Sequence, residues 1–534
     1  IMLLYIWVAA LVAAVYLYCR QVYSRFNKYG VKYMKPVPLL GNMSSILFRT
    51  RHFMNVVGNL YDEFPEERFV GNFEFIRPVL LIRDIELIKK VTVKDFEYFL
   101  DHRTFVSEEV DPFFGRNLFS LKGQEWKDMR STLSPAFTSS KMKHMLPFIV
   151  EVGDQMIISL KKQMKESQRG YIDIDIKDLA TRYANDVIAT CAFGLKVDSH
   201  THPSNEFYKM GYKTSNFGFV AILKFFGYAS FPYIMKLLKA NLFPEDVKDF
   251  FQHLVLNTMK DREAHNILRP DMIHLLMEAK KGRLSHEDNS VKDTDAGFAT
   301  VEESNVGKKN IDRVWSDVDL IAQAVLFFIA GFETVSTAMT FLLYELAINP
   351  EVQEKLAQEI REHEKKYNGK FDYNSIQTMT YMDMVVSELL RLWPPAIASD
   401  RLCIKDYNLG RPNDKATQDY IIKKGEGLNV PVAAIHRDPQ YFPDPLKFDP
   451  ERFADENKHK IQPFTYMPFG LGPRNCIGSR FALCEVKVMV YQLLQHMEVS
   501  PCERTPIPCE LAKDNFNLRI KGGHWLRLKP RVKY

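Results

Sequence analysis

Apolar positions fall into distinct regimes along the chain. Residues 3–19 form an unbroken apolar run without a charge, followed at once by Arg20, Arg25, Lys28, Lys32 and Lys35. That length is near the lower limit for crossing a bilayer, and the positive flank assigns its own side to the cytosol. Residues 1–20 therefore read as an uncleaved signal-anchor, because no small-residue cleavage site follows and an Arg-rich amphipathic presequence does not fit an uncharged run. Residues 21–45 read as a basic hinge, stiffened by Lys35-Pro-Val-Pro-Leu-Leu-Gly-Asn42, which cannot continue a helix. Residues 68–86 alternate and carry β-branched side chains as a small sheet does, and from about residue 120 the period is helical. Residues 280–310 are polar and predict a long surface loop. The pattern predicts a mainly α chain with minor β, residues 46–534 forming one large domain, with no internal repeat.

Composition narrows the function classes. Aromatic residues make up 13%, including 38 Phe, enough for apolar ligand surfaces besides packing. The net charge of +5 is small for 534 residues and gives no argument for nucleic-acid binding. Seven scattered cysteines, without Cys-x-x-Cys spacing, exclude a disulfide framework and a zinc site and point to a reducing compartment.

One of these cysteines sits in Phe469-Gly-Leu-Gly-Pro-Arg-Asn-Cys-Ile-Gly478, directly before a helical stretch over residues 479–494. Unpaired amides and the positive end of that helix favour the anion, so Cys476 is expected to ionise easily and serve as a metal ligand. Gly472 and Gly478 keep the loop free of side chains, which suits a planar macrocycle; Phe469 can shield the sulfur and Arg474 can reach an acidic edge group. A second apolar helix pattern, residues 317–347, is interrupted by Ala330-Gly-Phe-Glu-Thr334, where a mid-helix glycine costs about 1 kcal/mol against alanine and asks for a reason such as a ligand on the backbone. Glu388-Leu-Leu-Arg391 places an acid and a base on one helix face, ended by Trp393-Pro-Pro395.

The cysteine loop matches Phe-x-x-Gly-x-Arg-x-Cys-x-Gly at every fixed position and resembles the haem-binding loop of the cytochrome P-450 superfamily. The resemblance runs from the anchor to Arg531 and is nearest to insect microsomal members of family nine, which handle plant toxins and insecticides; Asp101-His-Arg-Thr-Phe105 and Val110-Asp-Pro-Phe-Phe-Gly115 carry that likeness. It implies a cytochrome P-450 fold around haem b, with Cys476 as axial ligand. Thr334 and Glu333 match the family's proton-relaying pair. Glu388, Arg391 and Arg452, the last from Pro450-Glu-Arg-Phe453, match a buried structural triad. Trp126, Arg130, Arg401 and Arg474, and with them Arg103, match contacts to the haem propionates. The pocket is expected from residues 104–119 (Val110, Phe113, Phe114, Phe119), the aromatic segment 207–233, the helix positions Phe327, Ala330 and Thr334, residues 396–399 (Ala396, Ile397), and the turn 521–523. Aromatics at 207–233 fit equally a core or a roof dipping into a membrane.

Thiolate ligation suits oxygen activation more than reversible oxygen carriage. The chain has no Gly-rich dinucleotide fingerprint and no flavin domain, so electrons from NADPH are expected through a separate NADPH-cytochrome P-450 reductase, with cytochrome b5 as a further donor. Lys127, Lys141, Lys143, Arg480 and Lys487 flank the thiolate side and are candidates for docking it. The reading is an endoplasmic-reticulum monooxygenase, catalytic domain facing the cytosol, acting with O2 on lipophilic xenobiotics. A hydroxylase of endogenous hormones or fatty acids is the alternative, and a thiolate-haem isomerase or a haem sensor fits less well, since neither needs the Glu333-Thr334 pair.

Overall fold

The computed structural model describes residues 2–103, 106–215, 219–281, 297–308, 313–370 and 372–531. Thr104, at the start of the expected pocket loop, and most of the expected polar loop 280–310 lie outside the described residues.

Helix α1 (Met2–Tyr23) is apolar up to Cys19, carries Arg20 in its last turn and buries only Cys19. Its exposure sets it apart from the other helix long and apolar enough to span a bilayer, Asp317–Ile348, which is largely inside the protein. The segment after α1 is no free spacer. Asn42 exchanges two hydrogen bonds with Phe73, from its amide to the Phe73 carbonyl (2.7 Å) and from the Phe73 amide to its Oδ1 (2.8 Å), so the proline-containing stretch is fastened to the first sheet.

That sheet begins with the antiparallel hairpin β1 (Phe69–Glu74) and β2 (Arg77–Ile82), in the register Phe69↔Ile82. Helices α2 (Gly123–Leu133) and α3 (Ser139–Ser167) follow. Strand β3 (Ile172–Asp175) leads into α4 (Ile176–Cys191), then α5 (Phe219–Ser230), α6 (Pro232–Leu237), α7 (Glu245–His265) and α8 (Met272–Lys280). The central helix α9 (Asp317–Ile348) starts at a capping box between Ser316 and Asp319, with acids in its first turn, and stops at Asn349 before Pro350 opens α10 (Pro350–Lys366). Helix α11 (Thr380–Leu392) carries the Glu388-x-x-Arg391 pair. Short strands β4 (Ser399–Leu402), β5 (Tyr407–Asn408), β6 (Ile421–Ile422) and β7 (Gly427–Val430) precede the cysteine loop, and α12 (Ser479–His496), β8 (Met497–Ser500) and β9 (Trp525–Pro530) close the chain.

The strands pair as β1-β2-β7-β4, β3-β9-β8 and β5-β6, so the hairpin legible in residues 68–86 is completed by strands more than 300 residues away, β7 joining β2 in parallel. The mainly α, minor β expectation holds. The largest core cluster lies where α3, α4, α9, α11 and α12 meet, around Tyr183, Phe341, Leu389 and Leu493, all without exposure. This core fixes α9 against the cysteine loop and sets the cavity between them.

Candidate active site

A cavity of about 570 Å³ lies between α9 and the cysteine loop. Leu326, Phe327, Ala330, Gly331, Thr334, Val335 and Ala338 line it from α9, a spacing that keeps one helical face toward the space. Phe469, Gly470, Cys476 and Gly478 line it from the loop, where the Cys476 amide donates to the Phe469 carbonyl (2.8 Å) and closes the turn. Thr334 is exposed to the cavity on an otherwise buried stretch of helix, and its hydroxyl donates back to the Ala330 carbonyl (2.5 Å).

Gly331 lines the cavity and also packs on α4, where a Cβ on it meets Ile188 Cδ1 at 2.8 Å. Gly472 has φ +68° and lies against the Thr92 carbonyl, away from the cavity lining. The Cys476 thiol is not held below its ordinary value. Burial pushes its thiol up, and the Gly478 amide and the Arg130 guanidinium offset this only in part.

Three of the expected arginines reach the cavity, each already paired. Arg474 donates to the carbonyls of Leu100 (2.7 Å) and Leu121 (2.9 Å), with its guanidinium 3.9 Å from the Trp126 ring centroid. Arg103 binds Glu74 (2.6 Å), and Arg130 binds Glu303 (2.6 Å) and the Asn475 carbonyl (2.7 Å). Arg401 is not on the lining; burial lowers its pKa, and its Nη1 donates to Ser399 Oγ (2.8 Å) and the Asp400 carbonyl (2.7 Å). Trp126 is on the lining, almost fully buried, with the Arg474 guanidinium over its ring. His102 is a lining residue that the sequence reading passed over: it stacks on Phe119 at 4.3 Å and binds Asp400 Oδ1 through Nδ1 (2.9 Å). Its position between two quoted neighbours, Asp101 and Arg103, was the available signal.

Behind the loop, Arg391 and Glu388 form a two-pronged ion pair (2.7 and 2.8 Å) with no exposure of either side chain, and Arg452 approaches Glu388 at 3.4 Å. Arg391 also donates to the His436 carbonyl (2.7 Å), while Asp449 donates its amide to Glu388 (2.8 Å). The structure thus brings Glu388, Arg391 and Arg452 together.

The family model described as Cytochrome P450 matches residues 31–527. The chain belongs to the cytochrome P450 family. It is 47% identical to Cytochrome P450 9e2 of Blattella germanica, over 99% of this chain and 98% of that relative. It is 43% identical to the protein named Probable cytochrome P450 9f2 of Drosophila melanogaster, over 95% of each. As a P450 it is a monooxygenase of the haem-thiolate, O2-using kind.

The residues fit that group. The cavity is walled mainly by aromatic and aliphatic side chains; small residues, Gly470 and Gly478, flank the sulfur, and Trp126, His102, Arg103, Arg130 and Arg474 on the lining carry the N–H groups that carboxylates accept from.

Several expected positions of this P450 are corrected. Glu333 does not line the cavity; it is held by Arg519 (2.6 Å), Lys177 (3.3 Å) and Thr337 (3.1 Å). Burial pushes its carboxyl up, but the Lys177 ammonium and the Arg519 guanidinium outweigh that and keep it ionised, because a buried carboxylate is stable only beside compensating cations. Val110 and Phe114 pack instead with Val106, Tyr228 and Leu242, Phe113 lies in a core cluster, and the Ile397 side chain is buried in the main core. Phe119, Phe327, Ala330 and Ala396 do line the cavity, joined by Phe225, Phe226 and Phe516. The aromatic segment therefore serves two ends, since Tyr212, Val220 and Tyr233 from it are exposed. The turn 521–523 is absent from the lining, and Phe516 is the C-terminal residue that reaches it. Lys487 cannot dock a partner: it is fully buried against Asp383 (3.1 Å) and Gln377 (3.0 Å). Lys127 holds Glu97 (2.8 Å), and Lys143 stands exposed.

His436 gives the site an acid limit. Its Nε2 accepts the Met467 amide (2.8 Å), and burial, then the Arg391 guanidinium, lower its pKa to about 3. Between the ordinary 6.5 and that value only the unfolded chain binds the proton. The stabilisation is thus complete above pH 6.5 and is lost as pH falls toward 3. His524, at about 3, and His200, at about 4, act in the same sense, against Glu345, raised by burial to about 7, and Asp186, to about 6. Urea midpoints are expected to fall from pH 7 to pH 5, and less steeply in His436→Gln; equal slopes would remove His436 as a contributor.

Proposed function

We propose that Cys476 is the axial ligand of haem b in an endoplasmic-reticulum monooxygenase that takes electrons from NADPH through a separate reductase and oxygenates lipophilic xenobiotics. The observation that carries the reading is that the Cys476 sulfur and the Thr334 hydroxyl share one largely apolar cavity. The group, when bound, supplies oxygen activation favoured by thiolate donation. Coordination would stabilise the sulfur anion.

Residues of the chain do the rest. Phe469 and Phe327 exclude water from the sulfur and from the space above α9. Thr334, whose proton lies on the Ala330 carbonyl, turns its oxygen to the cavity and can accept a hydrogen bond from water there. Glu333, locked by Lys177 and Arg519, takes no direct part unless those pairs open. Thr334→Ala is expected to retain substrate binding while diverting reducing equivalents to peroxide. The readout is peroxide formed per NADPH, and unchanged coupling would make Thr334 a packing residue.

Two supports favour xenobiotics. The named relatives of the 9 group are insect proteins, and the cavity walls, including Phe119, Phe225, Phe327 and Phe516, reward desolvation over a fixed shape, one methylene being worth about 1–3 kcal/mol. The exposed α1 helix and the apolar exposed residues of α5 and α6 support membrane attachment. The test is a panel of neutral aromatic toxins, insecticides, steroids and fatty acids, scored by Soret shift and by turnover with reductase and NADPH. Several unrelated toxins are expected to bind, with Phe327→Ala changing their ranking more than haem content. Tight binding confined to one steroid or fatty acid would favour the endogenous hydroxylase.

A further inference from the structure

Residues 297–308, the described end of the polar connection before α9, form a strap across the cysteine loop. Phe298 donates its amide to Asp383 on α11 (2.9 Å) and packs its ring against Phe453 (5.1 Å) and Tyr466 (5.4 Å). Ala299 is buried in the main core. Further along, the Glu302 carbonyl accepts from the Asn475 side chain (2.9 Å), and Glu303 takes Arg130 through both Nη2 (2.6 Å) and Nε (3.1 Å). Arg130 is thereby turned so that Nη1 meets the Asn475 carbonyl (2.7 Å) and Nη2 the Asn475 Oδ1 (2.8 Å). The pair is shielded, with side-chain exposures of 4% for Arg130 and 19% for Glu303. In such a setting salt screens little, and a planar guanidinium is oriented by its carboxylate.

Asn475 directly precedes Cys476. We propose that Glu303 is a positioning residue of the cysteine loop, which fixes Arg130 on Asn475 and cancels the guanidinium charge beside the Cys476 sulfur. The inference rests on Cys476 being the axial ligand. Without the carboxylate the surroundings of the iron site are one unit more positive, and positive charge favours the reduced state, which carries one more electron. The strap is thus expected to hold the reduction potential down.

The test is a spectroelectrochemical titration of the full-chain holoprotein, comparing the unsubstituted chain with Glu303→Gln and Glu303→Asp, each first checked for its ferrous carbon monoxide band. E303Q keeps the shape and loses the charge; its midpoint is expected to move to more positive potential, with roughly a threefold or larger rise in the ferrous-to-ferric ratio at the original midpoint. E303D keeps the charge and stays near the original value. An unsubstituted chain lacking the red-shifted band defeats the ligand reading, and the inference with it. A normal band in that chain together with an E303Q titration superimposable on its own overturns the role of Glu303 alone. If E303Q takes up no haem, uptake restored in E303D supports the charged pin. Equal loss in E303D and in the uncharged strap variant Phe298→Ala reduces the strap to packing and overturns the proposal.

Discussion

Ferrous protein under carbon monoxide is expected to show the strongly red-shifted Soret band of a thiolate trans ligand, and Cys476→His to lose it together with essentially all monooxygenase turnover. The reason is electronic: imidazole donates less density through the iron and does not favour O–O cleavage as a thiolate does. The structure supplies the control. Among the described residues only one other cysteine, Cys191, lines the same cavity. Cys191 is almost fully buried on α4, and burial, then the Glu485 carboxylate, push its thiol well up. Cys191→Ala is therefore expected to keep the band. A Cys476→His protein with the full band, or a Cys191→Ala protein without it, would move the ligand away from the loop.

Glu388→Ala is expected to lower unfolding free energy by about 3–5 kcal/mol and to cut the yield of folded protein sharply, as measured by urea denaturation and soluble expression. Removing the carboxylate leaves the Arg391 guanidinium without exposure and without its counter-charge, and frees the Asp449 amide and Arg452 from their common acceptor. Most of that loss is the cost of an unpaired buried charge, not the worth of the pair. Glu388→Met combined with Arg391→Leu is accordingly expected to recover part of it, because apolar side chains of similar size replace both charges. A single variant losing less than about 1 kcal/mol would show that water or a neighbouring acid reaches Arg391.

The chemistry written contiguously was legible in the chain. The cysteine loop, the apolar run at the N-terminus, the helical patterns of α9 and α12 and the β1-β2 hairpin each depend on neighbours within about twenty residues, so periodicity and spacing expose them. The Glu388-x-x-Arg391 pair was legible for the same reason, and its third member needed only a nearby motif.

What the sequence could not settle was which way side chains turn and what they meet. Glu333 and Thr334 are adjacent, yet on a helix adjacent residues diverge by about 100°, so one faces the cavity and the other faces Lys177 and Arg519. Val110, Phe113 and Phe114 are apolar enough for a ligand wall, but hydrophobicity does not distinguish a cavity from a core, and packing placed Phe113 in a core cluster and Val110 and Phe114 against one. Lys487 looked like a docking cation until helix packing buried it on Asp383. Arg130 and Glu303 are 173 residues apart, and no local pattern couples them. The sequence by itself determined the family, the cysteine loop and the mainly helical plan, because these are encoded in short-range patterns. Only the tertiary structure decided the cavity wall, the partners of the buried charges and the strap across the loop, because long-range packing chooses which polar groups leave water together.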